Sequence, residues 1–348
     1  MLARRRNREL GCPLSRINLV AWHAVNTKRI DTRPWAKTDN GVIVVDKPQG
    51  WTSHDVVGKI RSLAKNRRVG HAGTLDPMAT GVLVVGIGRG TKLLQYIVDA
   101  PKEYVATVRL GVATSTEDAE GEVTLAPGCG GVDADHLARV VERFVGDIQQ
   151  VPSAVSAIKV DGKRAYARVR AGETVELAAR PITIHSIFVL GYEPQFHRDS
   201  ERPNEAPVPV MDVTIAVRCG AGTYIRALGR DIAHALGTVG HLTALRRTSV
   251  GGFSSAQART PTQLEGETIS AGALAVTTLA DAAAKVLPVR LIDENESAEL
   301  GYGRSIDPSD TPGVVAAIGG DGELVALVNN QSERAQVRAR PVLVVMPR

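Results

Sequence analysis

Residues 71–83 read HAGTLDPMATGVL, and this stretch joins two different sequence patterns. Gly73 permits a sharp bend, and Pro77 biases Asp76 away from helical backbone. The apolar run at residues 82–88 has the length and the β-branched content of a buried strand. The pattern therefore predicts a constrained loop that presents one carboxylate ahead of a strand. An Asp-Pro pair in such a loop is most often only a structural turn, so a functional role for Asp76 needs support from the surrounding sequence.

A strand and an amphipathic helix are predicted before this loop. Residues 41–47, GVIVVDK, form a short β-branched run. Thr52 and Asp55 stand three apart as a capping box, and apolar residues at helical spacing follow them. Basic residues lie along the exposed side of this helix and just after it: Lys59, Arg61, Lys65, Arg67 and Arg68. A cluster of this kind is typical of a solvated face, but here it leads directly into the aspartate loop.

The rest of the first 260 residues mixes strand and helix patterns. Strands are predicted at 104–111, 182–192 and 208–220, and helices at 133–146 and 223–237. Because no regular βαβ repeat occurs, we predict an α+β fold with a mixed, largely antiparallel sheet. Residues 196–209 are polar and proline-rich, which favours a surface loop between two hairpin strands. Residues 156–180 hold six basic and three acidic side chains, which indicates a protruding basic element.

The length of the chain and the distribution of its charge indicate further segments. At 348 residues it is long enough for two domains. Residues 1–38 carry nine Lys or Arg and two acidic residues, so the net charge of +5 comes from this segment. The net charge of the whole chain is therefore a weak argument for binding to nucleic acid. We predict a disordered basic extension there. After about Thr262 the composition suggests a linker, followed by a capping box at Asp293 and Glu296 and a β-hairpin around residues 319–322.

Several function classes lack support in the sequence. No apolar run approaches the ~20 residues that span a bilayer. The three cysteines have no C-x-x-C spacing, and the eight histidines do not cluster with acidic residues at metal spacing. Neither G-x-S-x-G nor H-E-x-x-H occurs. GIGRGTKL at residues 86–93 lacks the residue order of a phosphate-binding loop and is interpreted as a glycine-rich turn.

A second candidate segment is CGAGTYIRALGRDIAHALG, residues 219–237. A strand ends there, a glycine pair turns the chain and a helix begins near Thr223. Arg226 falls in the first turn, where the helix dipole disfavours a cation, so it has either a specific anionic partner or free solvent exposure. Tyr224 and Tyr104 each stand near a basic residue in sequence, which suits either base stacking or an ordinary core position.

These segments together resemble a known enzyme family. GHAGTLDPMATGVLVVGIGRGTK resembles the catalytic motif of the bacterial tRNA pseudouridine-55 synthases, the TruB-type pseudouridine synthases. VDKPQGWTSHDVV, KEYVATVRLG, SAIKVDGKRAYARVRAG and GTYIRALGRDIAHALGTVGHLTALRRTSVGGF match in the same order, over residues 41–253. The resemblance implies a catalytic pseudouridine synthase domain at 39–262, a basic RNA-binding insertion at about 152–180 and a small β-rich PUA-like domain at 276–348.

The resemblance also implies an activity and roles for individual residues. The enzyme isomerises uridine 55 in the T-loop of tRNA, after flipping the base. By motif, Asp76 is the catalytic aspartate, Tyr104 contacts the base and handles protons, and Arg226 pairs with Asp76 and lowers its pKa. Three residues are implied to line the substrate site: His71, Tyr224 and Leu245. Contacts to the RNA backbone are expected at Arg67, Arg68, Lys159, Lys163 and Arg164.

Partners and location follow from the same resemblance. It implies a cytoplasmic monomer that binds the T-arm of tRNA and needs no metal, cofactor, membrane or obligate protein partner. Two alternatives remain open at this point. A guide-RNA-dependent synthase of the dyskerin type shares the catalytic motif, and an RNA-folding module would need the basic patches and the tyrosines but not Asp76.

Overall fold

The computed structural model describes residues 35–153, 159–160, 163–164, 177–198, 206–333 and 336–346. Residues 1–34 and most of the element predicted at 152–180 lie outside these ranges. The last residues of the predicted N-terminal extension lie inside them and are packed. The Trp35 side chain is 8% exposed, and its indole nitrogen donates to the Leu63 carbonyl at 2.8 Å.

The described chain contains seven α-helices: α1 (Ser53–Ala64), α2 (Leu94–Val98), α3 (Ala134–Glu142), α4 (Ile225–Ala235), α5 (Pro261–Ala271), α6 (Leu279–Ala284) and α7 (Glu294–Gly301). Its first strands are β1 (Gly41–Lys47), β2 (Val69–Ala72), β3 (Thr80–Ile87), β4 (Lys102–Leu110), β5 (Ala113–Thr114), β6 (Val123–Leu125), β7 (Gly146–Gln150), β8 (Lys159–Val160) and β9 (Lys163–Arg164). The later strands are β10 (Arg180–His197), β11 (Val208–Cys219), β12 (Gly240–Val250), β13 (Phe253–Ser254), β14 (Val289–Leu291), β15 (Val314–Ile318), β16 (Leu324–Glu333) and β17 (Gln336–Val344).

One large sheet organises the molecule, with the strand order β1-β3-β12-β4-β11-β10-β7. Strand β2 pairs with β3, and β13 pairs with β12. All of these pairs are antiparallel except β12 with β3, which meet in parallel at Thr80 and Gly81. The predicted α+β fold with a largely antiparallel sheet is therefore confirmed, and the predicted hairpin of β10 and β11 is present.

Both faces of the β1 end of the sheet are covered. Alternate residues of a strand point to opposite faces. Ile43 and Val45 accordingly pack with α1, while Val42 and Val44 join a cluster that includes α6 and residues of β15 and β16. The small sheet β14-β15-β16-β17 therefore shares a core with the large one.

The segment interpreted as a linker after residue 262 is helical in part. Thr260 and Gln263 form a capping box with Pro261 at the start of α5. Leu264 of this helix is buried in the same cluster as α1. Composition suggested a linker because the helix carries few large apolar residues, whereas its capping residues specify its start.

The contact between β3 and β12 gives a testable prediction about the fold. Gly81 has a φ of +100°, and a Cβ added there would lie 2.2 Å from the Arg247 carbonyl oxygen. Since neither backbone can move without breaking the strand pairing, we expect Gly81→Ala to lower the free energy of unfolding by ~3 kcal/mol or more. Denaturant titration measures this loss.

Gly58→Ala is the matched control, because a Cβ at that position in α1 meets nothing within 4 Å. It should stabilise the protein by ~0.5–1 kcal/mol through helix propensity. Equal and small effects of the two substitutions would contradict the described pairing of β3 with β12.

Candidate active site

The Asp76 loop lies at a change of partner along β3. Strand β2 pairs with the Val84–Ile87 end of β3 and stops at Ala72, while β12 pairs with the other end at Thr80 and Gly81. The loop leaves the sheet between these two partners. The gap opens into a cavity of about 420 Å³, within the ~300–1,000 Å³ range of ligand pockets.

Buried polar groups fix this loop from the side of α1. The Ser53 hydroxyl, 1% exposed, accepts from the Leu75 amide at 3.0 Å and lies 3.2 Å from the Leu75 carbonyl, to which it donates. The buried Lys47 ammonium donates to the Pro77 carbonyl at 3.1 Å and to the Trp51 carbonyl at 2.6 Å. Together these bonds hold the backbone on both sides of Asp76, so its carboxylate is preorganised.

Arg226 reaches Asp76 from the start of α4. Its side chain is 6% exposed, and its Nε lies 3.0 Å from Oδ2 of Asp76, whose side chain is 37% exposed. Its Nη1 donates to the Thr116 carbonyl at 2.8 Å and lies 3.5 Å from Asp118 Oδ2. The specific anionic partner that the first-turn position suggested is thus a pair of carboxylates. Asp118 is 3% exposed, so Arg226 lies between one buried carboxylate and one that lines the cavity.

The pKa of Asp76 is raised above its ordinary value, although Arg226 acts to lower it in the expected direction. Burial is the largest cause, because it disfavours the charged form. Arg226 acts in the opposite direction, and the like charge of Asp118 adds to the increase. Arg226 therefore compensates only part of the increase in the Asp76 pKa that burial causes.

Tyr104 stands in the same cavity, on the face of β4 that points toward the core. It is 7% exposed, and burial raises the pKa of its hydroxyl, with Arg247 opposing that shift. Its phenol is therefore protonated throughout the neutral range. Leu245 of β12 also lines the cavity and is 7% exposed.

Tyr224 also lines the cavity and is half-buried. The buried side chain of Gln150 holds its backbone on both sides. The Tyr224 amide donates to Gln150 Oε1 at 2.9 Å, and Gln150 Nε2 donates to the Tyr224 carbonyl at 3.1 Å. This clamp fixes the N-terminus of α4 and with it the arginine two residues later.

His71 is not among the residues that line this cavity. It lies in β2, partly buried, with its ring edge-on to His54 at 5.9 Å between centroids. Burial lowers its pKa, so the ring is neutral at physiological pH. The structure brings Asp76, Tyr104 and Arg226 together and leaves His71 beside that group.

The predicted RNA-contacting residues divide into two sets. Arg67 and Arg68 are exposed, and Arg68 Nε donates to Thr91 Oγ1 at 3.0 Å. Another member of the basic helix face, Lys59, pairs with Glu265 of α5 at 2.7 Å. For the other three predicted residues, the structure describes the backbone, in β8 and β9, but not the side chains: Lys159, Lys163 and Arg164.

Sequence reasoning did not assign a role to four buried polar residues around the cavity: Lys47, Lys102, Asp118 and Arg247. Lys47 and Arg247 lie inside segments that resemble motifs of the family, VDKPQGWTSHDVV and the ALRR of the last segment. That resemblance could have pointed to both residues. Nothing in local spacing connects Asp118 with Arg226, because 108 residues separate them and only the fold brings them together.

Among the described residues, no group of three or more His, Cys, Asp or Glu is placed to hold a metal ion. None of the helices within the described ranges is both long and apolar enough to cross a membrane.

Known structures share this fold. The chain aligns with one from a "Cbf5-Nop10-Gar1 Complex" with a TM-score of 0.66 and 26% identity, covering 92% of this chain and 93% of the other. It also aligns with a chain of an "H/ACA RNP bound to a substrate RNA containing 2'-deoxyuridine", with a TM-score of 0.64, 26% identity and coverage of 88% and 86%. With a cavity-lining carboxylate beside a tyrosine and an arginine, the fold and the site define a pseudouridine synthase.

Sequence comparison gives the family. The profile described as "TruB family pseudouridylate synthase (N terminal domain)" matches residues 61–225, and two TruB C-terminal profiles match 226–281 and 287–346. The "tRNA pseudouridine synthase B" of Arthrobacter sp. (strain FB24) is 50% identical over 88% of this chain and 97% of its own. That of Streptomyces griseus is 48% identical over 86% and 96%. The chain belongs to the TruB family of pseudouridine synthases.

Proposed function

We propose that this protein converts the uridine at position 55 in the T-loop of tRNA into pseudouridine, acting without a guide RNA. The observation that carries the proposal is the carboxylate of Asp76, paired with the buried Arg226 in a cavity that Tyr104 also lines. Relatives at 48–50% identity over nearly their whole length bear the name tRNA pseudouridine synthase B. The guide-RNA alternative has weaker support, since the chain in an H/ACA complex is 26% identical.

The chemistry requires that the C1′–N1 bond breaks, the uracil turns and C5 joins C1′. An ionised Asp76 acts at C1′ or stabilises positive charge there, and the cavity keeps the detached base beside the sugar. A uridine inside the folded T-loop has to be flipped out first, which costs a few kcal/mol. Stacking on Tyr224, which lines the cavity, offsets part of this cost, at ~1–3 kcal/mol per base.

Binding of the T-arm uses basic residues of the chain. The exposed Arg67 and Arg68 suit phosphate contacts, and so does the basic composition of the element predicted at 152–180. Such contacts make affinity fall as salt rises. A cytoplasmic monomer that needs neither a cofactor nor a protein partner belongs to the same proposal.

A T-arm hairpin RNA tests the proposal. Purified protein and this RNA alone should give pseudouridine at the T-loop uridine, detected by nuclease digestion and mass spectrometry. An anticodon-arm hairpin from the same tRNA is the control and should stay unmodified. Modification that appears only after a guide RNA is added would favour the guide-dependent alternative. Binding with no pseudouridine would favour an RNA-folding module.

A further inference from the structure

Two buried cations lie side by side on the wall of the cavity next to Gly73. Lys102 is 7% exposed and Arg247 is 1% exposed, and both line the cavity. A Cβ added to Gly73 would lie 3.5 Å from Arg247 Nη1 and 3.8 Å from Lys102 Cε. These two side chains, called the cationic wall below, therefore meet at one spot.

The protein partners of the cationic wall carry no full negative charge. Lys102 Nζ donates to the carbonyls of Val98 at 2.6 Å and Ala100 at 2.7 Å. Arg247 donates from Nε to the Val82 carbonyl at 2.7 Å and from Nη2 to the Gly73 carbonyl at 3.0 Å. Within the described ranges, no carboxylate forms an ion pair with either side chain.

The charged and titratable groups near Lys102 are few. Arg247 opposes its charge, while Asp99 and the Cys219 thiol favour it, and the buried hydroxyl of Tyr104 lies beside Arg247. Two adjacent buried cations without a carboxylate are costly to desolvate. An anionic group that enters the cavity would remove this cost.

We propose that Lys102 and Arg247 stabilise the negative charge that the uracil acquires when its C1′–N1 bond breaks. This rests on the proposed function. The cavity holds Asp76 and Arg226 for the sugar end of the nucleotide, so the base extends toward Tyr104 and the cationic wall. A phosphate is the other possible anion in RNA, but it would have to leave water to reach side chains that are 7% and 1% exposed.

The electrons balance as follows. The pair of the C1′–N1 bond stays with the ring, and the charge spreads over N1, O2 and O4. When C5 bonds to C1′, the ring gives back that pair and becomes neutral. The proton on C5 then leaves and N1 takes up a proton, so the reaction needs no oxidant or reductant. Positive charges beside the ring stabilise it most while it is an anion, which is the condition for raising kcat.

Lys102→Gln tests the proposal, because glutamine keeps a hydrogen-bond donor but removes the charge. We expect kcat on T-arm RNA to fall ~10²–10³-fold, as for loss of one oxyanion-hole donor, with RNA affinity and melting temperature unchanged. Lys102→Arg, which keeps the charge, should recover much of the loss. An unchanged kcat, or a rise in KM alone, would overturn the inference. Absence of pseudouridine with the wild type would instead refute the proposed function.

A second measurement compares the wild type with Lys102→Arg. Burial and the neighbouring Arg247 lower the pKa of Lys102 to about 8, so the wild-type kcat/KM should fall as the pH rises through that value. The arginine of Lys102→Arg stays charged, so the fall should be smaller in that variant. Lys47, whose pKa is also lowered to about 8, acts on the loop and affects both proteins alike. An equal fall for both proteins would overturn the inference.

Discussion

Asp76→Asn is expected to lower the rate of pseudouridine formation at least ~10³-fold, while the affinity for T-arm RNA stays within a few-fold of wild type. The Asp76 carboxylate combines negative charge with a backbone held in place on both sides, and asparagine keeps its size but not its charge. Single-turnover time courses with excess enzyme measure the chemical step, and a filter-binding titration measures affinity.

Asp135→Asn is the matched control, because Asp135 is exposed in the first turn of α3 and makes no part of the cavity. It should leave the rate within two-fold of wild type, since exposed substitutions have small effects. A rate for Asp76→Asn within ten-fold of wild type would remove the carboxylate from the mechanism.

Arg226→Met is expected to lower the rate at neutral pH by ~10²–10³-fold and to move the acid limb of the pH profile upward. The arginine opposes the burial and the Asp118 charge that raise the pKa of Asp76, so its loss raises that pKa further. Since the carboxylate must be ionised to act, activity should recover partly as the pH is raised. Profiles of kcat between pH 5 and 9 measure this shift.

Removing one partner of a buried charge cluster also costs stability, ~3–5 kcal/mol in comparable cases. The melting temperature is therefore recorded at each pH, and only the folded fraction is compared. Arg139→Met, at an exposed position of α3, is the control and should change neither quantity. An equal loss of kcat at all pH values, without a shift of the acid limb of the profile, would contradict the assigned role of Arg226.

Local signals in the sequence specified much of the fold. The capping boxes at Thr52 and Asp293 place the starts of α1 and α7, and β-branched and apolar runs locate β1, β4 and the β10–β11 hairpin. The capping boxes and the strand patterns both depend on interactions within one element or one turn. The helix α5 was not predicted, because its apolar face is narrow and its burial depends on α1.

Other features depend on contacts that no local pattern contains. The parallel meeting of β3 and β12 joins residues more than 160 positions apart and decides where the cavity opens. The same applies to Asp118, which reaches Arg226 across the fold. The pKa of Asp76 could not be predicted in sign, because the extent of its burial is set by packing and exceeds the effect of the neighbouring arginine.

The central claim is that this chain isomerises one particular uridine of tRNA, and a full-length unmodified tRNA transcript tests it most directly. The transcript is incubated with the purified protein alone, and every pseudouridine is mapped by nuclease digestion and mass spectrometry. We predict pseudouridine at position 55 and at no other position, with none in a transcript that carries cytidine there. Pseudouridine at other positions, or none at all, would contradict the account.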